Sequence, residues 1–286
     1  MTSHKDLVFQ HISKNIVEPE KLTWIHISDI RHGVEHTLVC QKTGIVNSIS
    51  DEEYAELKSK LESYEFKQCK GCFPNGEENM KEVFDKDYYE NGVSKGISGY
   101  TNYHYRPEYV FPVAQKIKNH FGPFTVLDYG AAKGYLVKAL RLLDVNAYGY
   151  DISKYAVENA DPLIKEYMSN DMSSFEDKYF DLTVAKDTLE HVPKDKLQEV
   201  LASIKRVTNQ YILVIVPLGD NGLFRIREFE LDKTHVIKED EEFWITEFKK
   251  QGFNILEFHY EWGNSKDHWL KVNPYGNGIF ILEVKD

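Results

Sequence analysis

The sequence predicts a doubly wound α/β fold over residues 81–286. Two observations carry this. Short apolar segments alternate with amphipathic ones from about residue 107 onward. Several of the apolar segments, above all QYILVIVP at 210–217, are near-continuous, as strands covered on both faces require. The count is seven strands in a Rossmann-like, parallel sheet with helices on both sides. Residues 1–80 lack this rhythm and read as a small N-terminal α+β domain.

Residues 1–22 begin polar, with a weak apolar stripe of Leu7, Val8, Ile12 and Ile16. TWIHISDI and HTLVCQKTGIV, within 23–48, read as short strands separated by turns. Ser50 and Glu53 form a capping box ahead of Tyr54, Leu57, Leu61 and Tyr64 at helical spacing. KQCKGCFPNGEEN is turn-rich. FDKDYYENGVSKGISGYTNYHY is dense in tyrosine and glycine, which fits an ordered functional loop. A helix is expected to start at Pro107, a favoured first helical residue, and to stop at Gly122.

The alternation follows. TVLDYG (125–130) is the first strand and GYLVKALRLL its helix. AYGYDI (147–152) and SKYAVENA repeat the unit. A weak third strand falls near KEYMSND. FDLTVAK (180–186) is the fourth, followed by the amphipathic helix DKLQEVLASIKRV (195–207). After the fifth strand at 210–217 come the helix EEFWITEFKKQG (241–252), the strand NILEFHY and the closing strand GIFILEV (278–284).

Composition narrows the function. With 42% hydrophobic and 13% aromatic residues, the 286-residue chain can form a sizeable core. Its formal charge of −11 lacks the basic footprint of a nucleic-acid binder. The fourth strand ends Lys186-Asp187-Thr188-Leu189, without the D/N-PP-Y pattern used on exocyclic base amines. No apolar run approaches 18 residues, and the N-terminus has no signal-peptide pattern, so no membrane association is expected. Three unevenly spaced cysteines fit a reducing, cytoplasmic setting. Oligomeric state is not legible.

The glycine loop Gly130-Ala131-Ala132-Lys133-Gly134 follows the first strand of this sheet. In open α/β sheets ligands bind there, beyond the carboxyl ends of strands, where helix N-termini add oriented N–H groups. A dinucleotide site needs G-x-G-x-x-G, and this loop does not supply it. The spacing is D-x-G-x-x-x-G, with Asp128 ahead of Gly130. An acid there can meet a cationic amino group. Asp151, 23 residues on at the second strand's end, can accept from a ribose diol. Asp171 in SNDM can accept from an adenine amino group, with Met172 against the ring.

These residues resemble class I S-adenosylmethionine-dependent methyltransferases, most of all a bacterial group with a GCAKGFL-like loop. The matching segments are VLDYGAAKGYLVKAL, AYGYDISKYAVENA, SND and FDLTVAKDTLEHVP, with DYYENGVSKGISGY upstream and DKTHVIKEDEEFWITEFKKQGF downstream. The resemblance spans about residues 85–285. It implies that Asp128, Gly130 and the loop to Gly134 hold the methionine end, Asp151 and Ile152 the ribose and adenine face, and Asp171 and Met172 the adenine edge. Lys186 contributes its carbonyl and Tyr100 closes over the cofactor. Ala132 departs from the usual glycine, which a negative φ would accommodate. The implied acceptor is a small molecule such as a sugar, glycan precursor or secondary metabolite, methylated on oxygen and chosen by residues 85–105 and 220–275. An oxygen acceptor benefits from a base. His235 in KTHV is the first candidate and His191 in LEHVP the second, with structural roles open to both. Tyr103, His104 and Tyr105 are candidates for the substrate entrance. Alternatives are a non-catalytic S-adenosylmethionine-binding scaffold and a nicotinamide-dependent enzyme, which the loop spacing disfavours.

Cys69 and Cys72 form a CxxC turn that suits half a zinc ribbon. Cys40 and His36, or His32, can complete three thiolates and one imidazole around a structural zinc ion. Free thiols are the alternative.

Overall fold

The computed structural model describes residues 83–122, 125–263 and 265–285 in full, together with three backbone strands nearer the N-terminus. The chain divides into two units, Met1–Asn75 and Gly76–Asp286.

In the first unit, β1 (Ile25–Ile30), β2 (Glu35–Cys40) and β3 (Gly44–Ile49) form an antiparallel meander in that order. This agrees with the strands expected over 23–48. His36 and Cys40 both lie on β2, opposite Asp29 and Ile25 of β1. The helix expected after Ser50, and Cys69 and Cys72, lie outside the described residues.

The second unit opens with two one-turn helices, α1 (Lys86–Glu90) and α2 (Gly92–Lys95). Asp85 caps α1 by accepting from the amides of Asp87 and Tyr88 at 2.8 and 3.1 Å. The helix α3 (Pro107–Phe121) keeps both predicted ends. Strands and helices then alternate: β4 (Thr125–Tyr129), α4 (Tyr135–Leu142), β5 (Asn146–Tyr150), α5 (Lys154–Glu158), β6 (Met168–Ser169), β7 (Phe180–Lys186), α6 (Leu197–Val207) and β8 (Thr208–Pro217). A short hairpin, β9 (Gly219–Asp220) with β10 (Leu223–Phe224), precedes α7 (Glu241–Lys250), β11 (Phe253–His259), α8 (Asp267–Leu270) and β12 (Asn277–Val284).

The seven-stranded sheet runs β11-β12-β8-β7-β4-β5-β6. Alternate residues of one strand feed opposite layers. In β8, Leu213 and Ile215 pack with Val113, Ile117, Val137 and Leu140 of α3 and α4. Ile212, Val214 and Val216 pack with Leu197, Leu201, Trp244 and Phe248 of α6 and α7. That double burial is why 210–217 is apolar at consecutive positions.

The sheet is mixed, which corrects the parallel arrangement expected from the sequence. β4 to β8 pair in parallel, but β12 lies antiparallel between β8 and β11. A parallel return needs a crossover, usually a helix laid across the sheet. Among the described residues between β11 and β12 the one helical element is the single turn α8. β12 is nonetheless buried on both faces, so its apolar run looks like that of a parallel strand.

Candidate active site

The loop after β4 turns on two glycines in the left-handed region, Gly130 at φ +82° and Gly134 at φ +75°. A β-carbon on Gly130 would meet Thr188 at 2.3 Å, and one on Gly134 would meet Ile164 at 2.5 Å. Neither position admits a side chain without movement. The amides of Gly130 and Ala131 donate to the Tyr150 carbonyl at 2.8 and 2.9 Å, tying the loop to the end of β5. Ala132 has φ +50°. This corrects the expectation of a negative φ: the methyl group occupies a backbone region that L-residues reach at a cost of about 1–2 kcal/mol. Part of that is returned by packing against Phe84, Tyr88 and Tyr89.

Asp151 follows β5 and is 6% exposed. Its two oxygens accept from different amides, Ala132 at 2.6 Å and Ser153 at 2.8 Å. The carboxylate therefore braces the glycine loop and keeps lone pairs for a further donor. Burial raises its pKa to about 6, against the pull of the Ser153 and Ala132 amides. Asp128, on β4, is 5% exposed, and burial raises it to about 7, with Lys186 opposing and Asp151 reinforcing the shift.

A cavity of about 210 Å³ opens here. Its wall includes Gly130, Ala132, Asp151, Ile152 and Lys186, and on another side Tyr88, Tyr89, Tyr100 and Tyr103. Thus five of the residues expected at a ligand site meet on one cavity with Tyr100. Asp128 and Gly134 support the wall without lining it. The structure does not bring Asp171 and Met172 to the cavity. Asp171 is exposed and caps the turn Met172–Ser174, accepting from the amide and hydroxyl of Ser173 at 2.9 and 2.7 Å. Met172 packs toward Leu127, Phe180 and Val207.

The tyrosine-rich segment 84–105 is ordered, as its composition suggested. Tyr103 donates its amide to Tyr89 at 3.0 Å and Val93 to Tyr100 at 2.9 Å, folding the segment back on itself. Tyr100 and Tyr103 stack edge-on at 4.7 Å. Lys133, from within the glycine loop, is buried and reaches Glu90 at 2.5 Å and the Tyr103 carbonyl at 3.0 Å. Tyr155 donates to the same Glu90 oxygen at 3.0 Å. The sequence showed the loop and the segment separately. It gave no sign of this link, because the two residues lie 43 positions apart.

The end of β7 carries the other groups. Thr188 donates to the carbonyls of Tyr129 and Lys186, each at 3.1 Å. Lys186 donates to Asp187 at 2.6 Å, and Lys266 pairs with the other Asp187 oxygen. Against burial, these two ammonium groups hold the Asp187 carboxyl well below the usual carboxylate range. Glu190 is 1% exposed, and its Oε2 has no hydrogen-bond partner among the described residues. Burial and the Asp187 charge raise it to about 8.

Of the two expected histidines, His191 lines the cavity. His235 stands behind it, the ring centroids 4.5 Å apart. Thr234 donates its hydroxyl to Asp232 at 2.5 Å and so accepts from His191 Nδ1 at 2.6 Å. His235 Nδ1 donates to the Phe229 carbonyl at 2.8 Å. Both rings are thus fixed with the proton on Nδ1 and a bare Nε2. Burial, then the neighbouring His235, lowers His191 to about 4, and burial also lowers His235.

A family model described as a methyltransferase domain matches residues 127–213, from β4 into β8. Among solved structures, magnesium protoporphyrin IX methyltransferase from Synechocystis with bound SAH superposes with a TM-score of 0.52 at 16% identity, covering 73% of this chain and 100% of that one. A SAM-dependent methyltransferase from Archaeoglobus fulgidus gives 0.46 at 17% identity, covering 60% and 92%. The 1,6-didemethyltoxoflavin-N1-methyltransferase of Burkholderia thailandensis gives 0.47 at 14%, covering 90% and 99%. No curated protein sequence matches the chain. The seven-stranded unit therefore has the Rossmann-like fold of class I methyltransferases.

Proposed function

We propose that this chain is an S-adenosylmethionine-dependent methyltransferase that modifies a small-molecule acceptor, of the bacterial glycan-type group its GAAKGYL loop resembles. The observation that carries this reading is Asp151. It is buried at the end of β5, braced by the Ala132 and Ser153 amides, and exposed to one cavity with Gly130, Ile152, Lys186 and Tyr100. A carboxylate so held suits a ribose diol, and Asp128 supplies a buried acid for a cationic amino group.

The donor group supplies an electrophilic methyl on a sulfonium, which needs alignment more than covalent help. The chain's own residues provide that alignment. Asp151 and the loop amides fix one end. Tyr88, Tyr89, Tyr100 and Tyr103 line the cavity and give that wall an aromatic surface. An oxygen acceptor must also lose a proton. His191 is placed on the cavity wall with a bare Nε2, and His235 lies next to it. Residues 220–275 carry His235 and Lys266 toward the β7 end, which supports their choosing the acceptor.

Calorimetry with S-adenosylmethionine and its demethylated product tests the reading. Binding is expected, and Asp151→Ala is expected to weaken it by about 1–3 kcal/mol, the cost of a lost buried partner. Absence of binding by either compound sinks the proposal. Labelled S-adenosylmethionine incubated with fractionated small-molecule extract then identifies the acceptor. Binding without turnover across the fractions would favour a non-catalytic scaffold.

A further inference from the structure

Glu190, His191 and His235 bring one potential ligand atom each to within 4.8 Å of one another. Two come from adjacent residues of the 3-10 turn Leu189–His191, the third from the loop after Leu231. The amides of Val236 and Ile237 both donate to the Glu190 carbonyl, at 2.8 and 3.0 Å, which locks the two segments together. Two features show what this cluster is built to meet. Both imidazoles have their Nδ1 protons committed, one to Thr234 and one to a carbonyl. This is the orientation that holds a metal-ligating histidine in place. Glu190 leaves Oε2 buried with no hydrogen-bond donor among the described residues. A buried carboxyl oxygen without a hydrogen-bond partner is costly, and a cation taking the place of the Glu190 proton would satisfy it.

The charges nearby agree. Asp187 and Asp232 bring negative charge to the cluster, and the ammonium groups that act on it are Lys186 and Lys266. Lys186 and Lys266 both clasp Asp187, and neither donates a hydrogen bond to Glu190 Oε2.

We infer that Glu190, His191 and His235 form a binding site for a divalent first-row transition-metal ion. Two imidazoles and one carboxylate are a recognised ligand set for such ions, with positions left open for oxygen ligands. Because His191 also lines the cavity, the open positions border it. The site rests on the geometry of the cluster. Its use in methyl transfer rests on the function proposed above: with both Nε2 atoms engaged as ligands, a cation would polarise an acceptor oxygen and lower its pKa in place of proton removal by His191.

The probe is Co²⁺, titrated into the full chain after dialysis against a chelator. Co²⁺ on imidazole and carboxylate gives visible d–d absorption, whereas on Cys40, Cys69 and Cys72 it would add a thiolate charge-transfer band in the near ultraviolet. One equivalent is expected to give d–d absorption free of thiolate bands from this cluster. Glu190→Gln and His235→Gln are each expected to weaken that binding at least tenfold. Unchanged circular dichroism and thermal midpoint in either variant show that the fold survives, and His235, being only partly buried, tolerates change more readily. No d–d absorption, only thiolate-bound Co²⁺, or equal binding by the folded variants overturns the inference. S-adenosylmethionine calorimetry on the same preparations is independent of these outcomes, so failure of the metal site and failure of the cofactor reading are separable.

Discussion

Ala132 and the two buried aspartates are where single residues set the behaviour of the loop. At φ +50°, Ala132 pays for a methyl group that a glycine would omit. Ala132→Gly should stabilise the protein by roughly 0.5 kcal/mol, the strain relieved less the added chain entropy and lost packing. A shift of the urea midpoint to lower concentration would contradict this. Asp128 and Asp151 have folded pKa values of about 7 and 6, against 3.8 unfolded. The native state therefore holds protons that the unfolded chain releases. Their contribution to stability is complete below the unfolded value and lost as pH rises through about 6 and then 7. On the proposed role of Asp128, a cationic amino group within reach of its carboxyl reverses the preference by favouring the ionised form. Binding of S-adenosylmethionine near pH 6 should release protons and strengthen as pH rises. Calorimetry in two buffers of different ionisation enthalpy reads this directly, and an unchanged enthalpy would refute it.

Between elements, the decisive contact is the one from Lys133 to Glu90. The side chains are 10% and 18% exposed, so the pair is largely removed from water. It joins the glycine loop to α1, with Tyr155 and the Tyr103 carbonyl completing it. Removing one partner of such a pair leaves a charge with no compensation, at a cost of about 3 kcal/mol or more. Lys133→Met should show that loss in denaturant unfolding and should weaken cofactor binding, since Tyr100 and Tyr103 belong to the anchored segment. The double variant with Glu90→Gln should lose less than the sum of the two, and strict additivity would deny the coupling. This is also the scale at which the sequence is hardest to read. Strand and helix periodicity is local, so α3 to α7 and the seven strands of the sheet could be placed from their own residues, whereas the short hairpin β9–β10 and the single turn α8 could not. The pairing of a loop lysine with a glutamate 43 positions away has no periodicity to announce it. The same holds for Glu190 and His235, brought together by a backbone contact between distant loops. Asp171 shows the opposite limit: its place in the sequence order suited a ligand, but its carboxylate caps its own turn.

At the scale of the whole molecule, the sheet was legible in the number of its strands and their places along the chain but not in their order across the sheet or in the direction of the last one. Burial on both faces produces the same apolar run whichever way a strand points. That strand, β12, joins β11 to the rest of the sheet. A chain ended at Gly276 should lose the interior ladder on both sides of β12 and accumulate as insoluble protein. Soluble, cooperatively unfolding material would show that the remaining strands suffice. The position of β12 also orders events during synthesis. α7 and β11 are made first, yet β11 has no strand to pair with in the sheet until β12 arrives between it and β8. Until then β8 presents an unpaired edge carrying Ile212, Val214 and Val216, the kind of edge that recruits foreign strands. Each nascent copy thus waits, with an adhesive strand uncovered, for a segment that the ribosome delivers some 60 residues later.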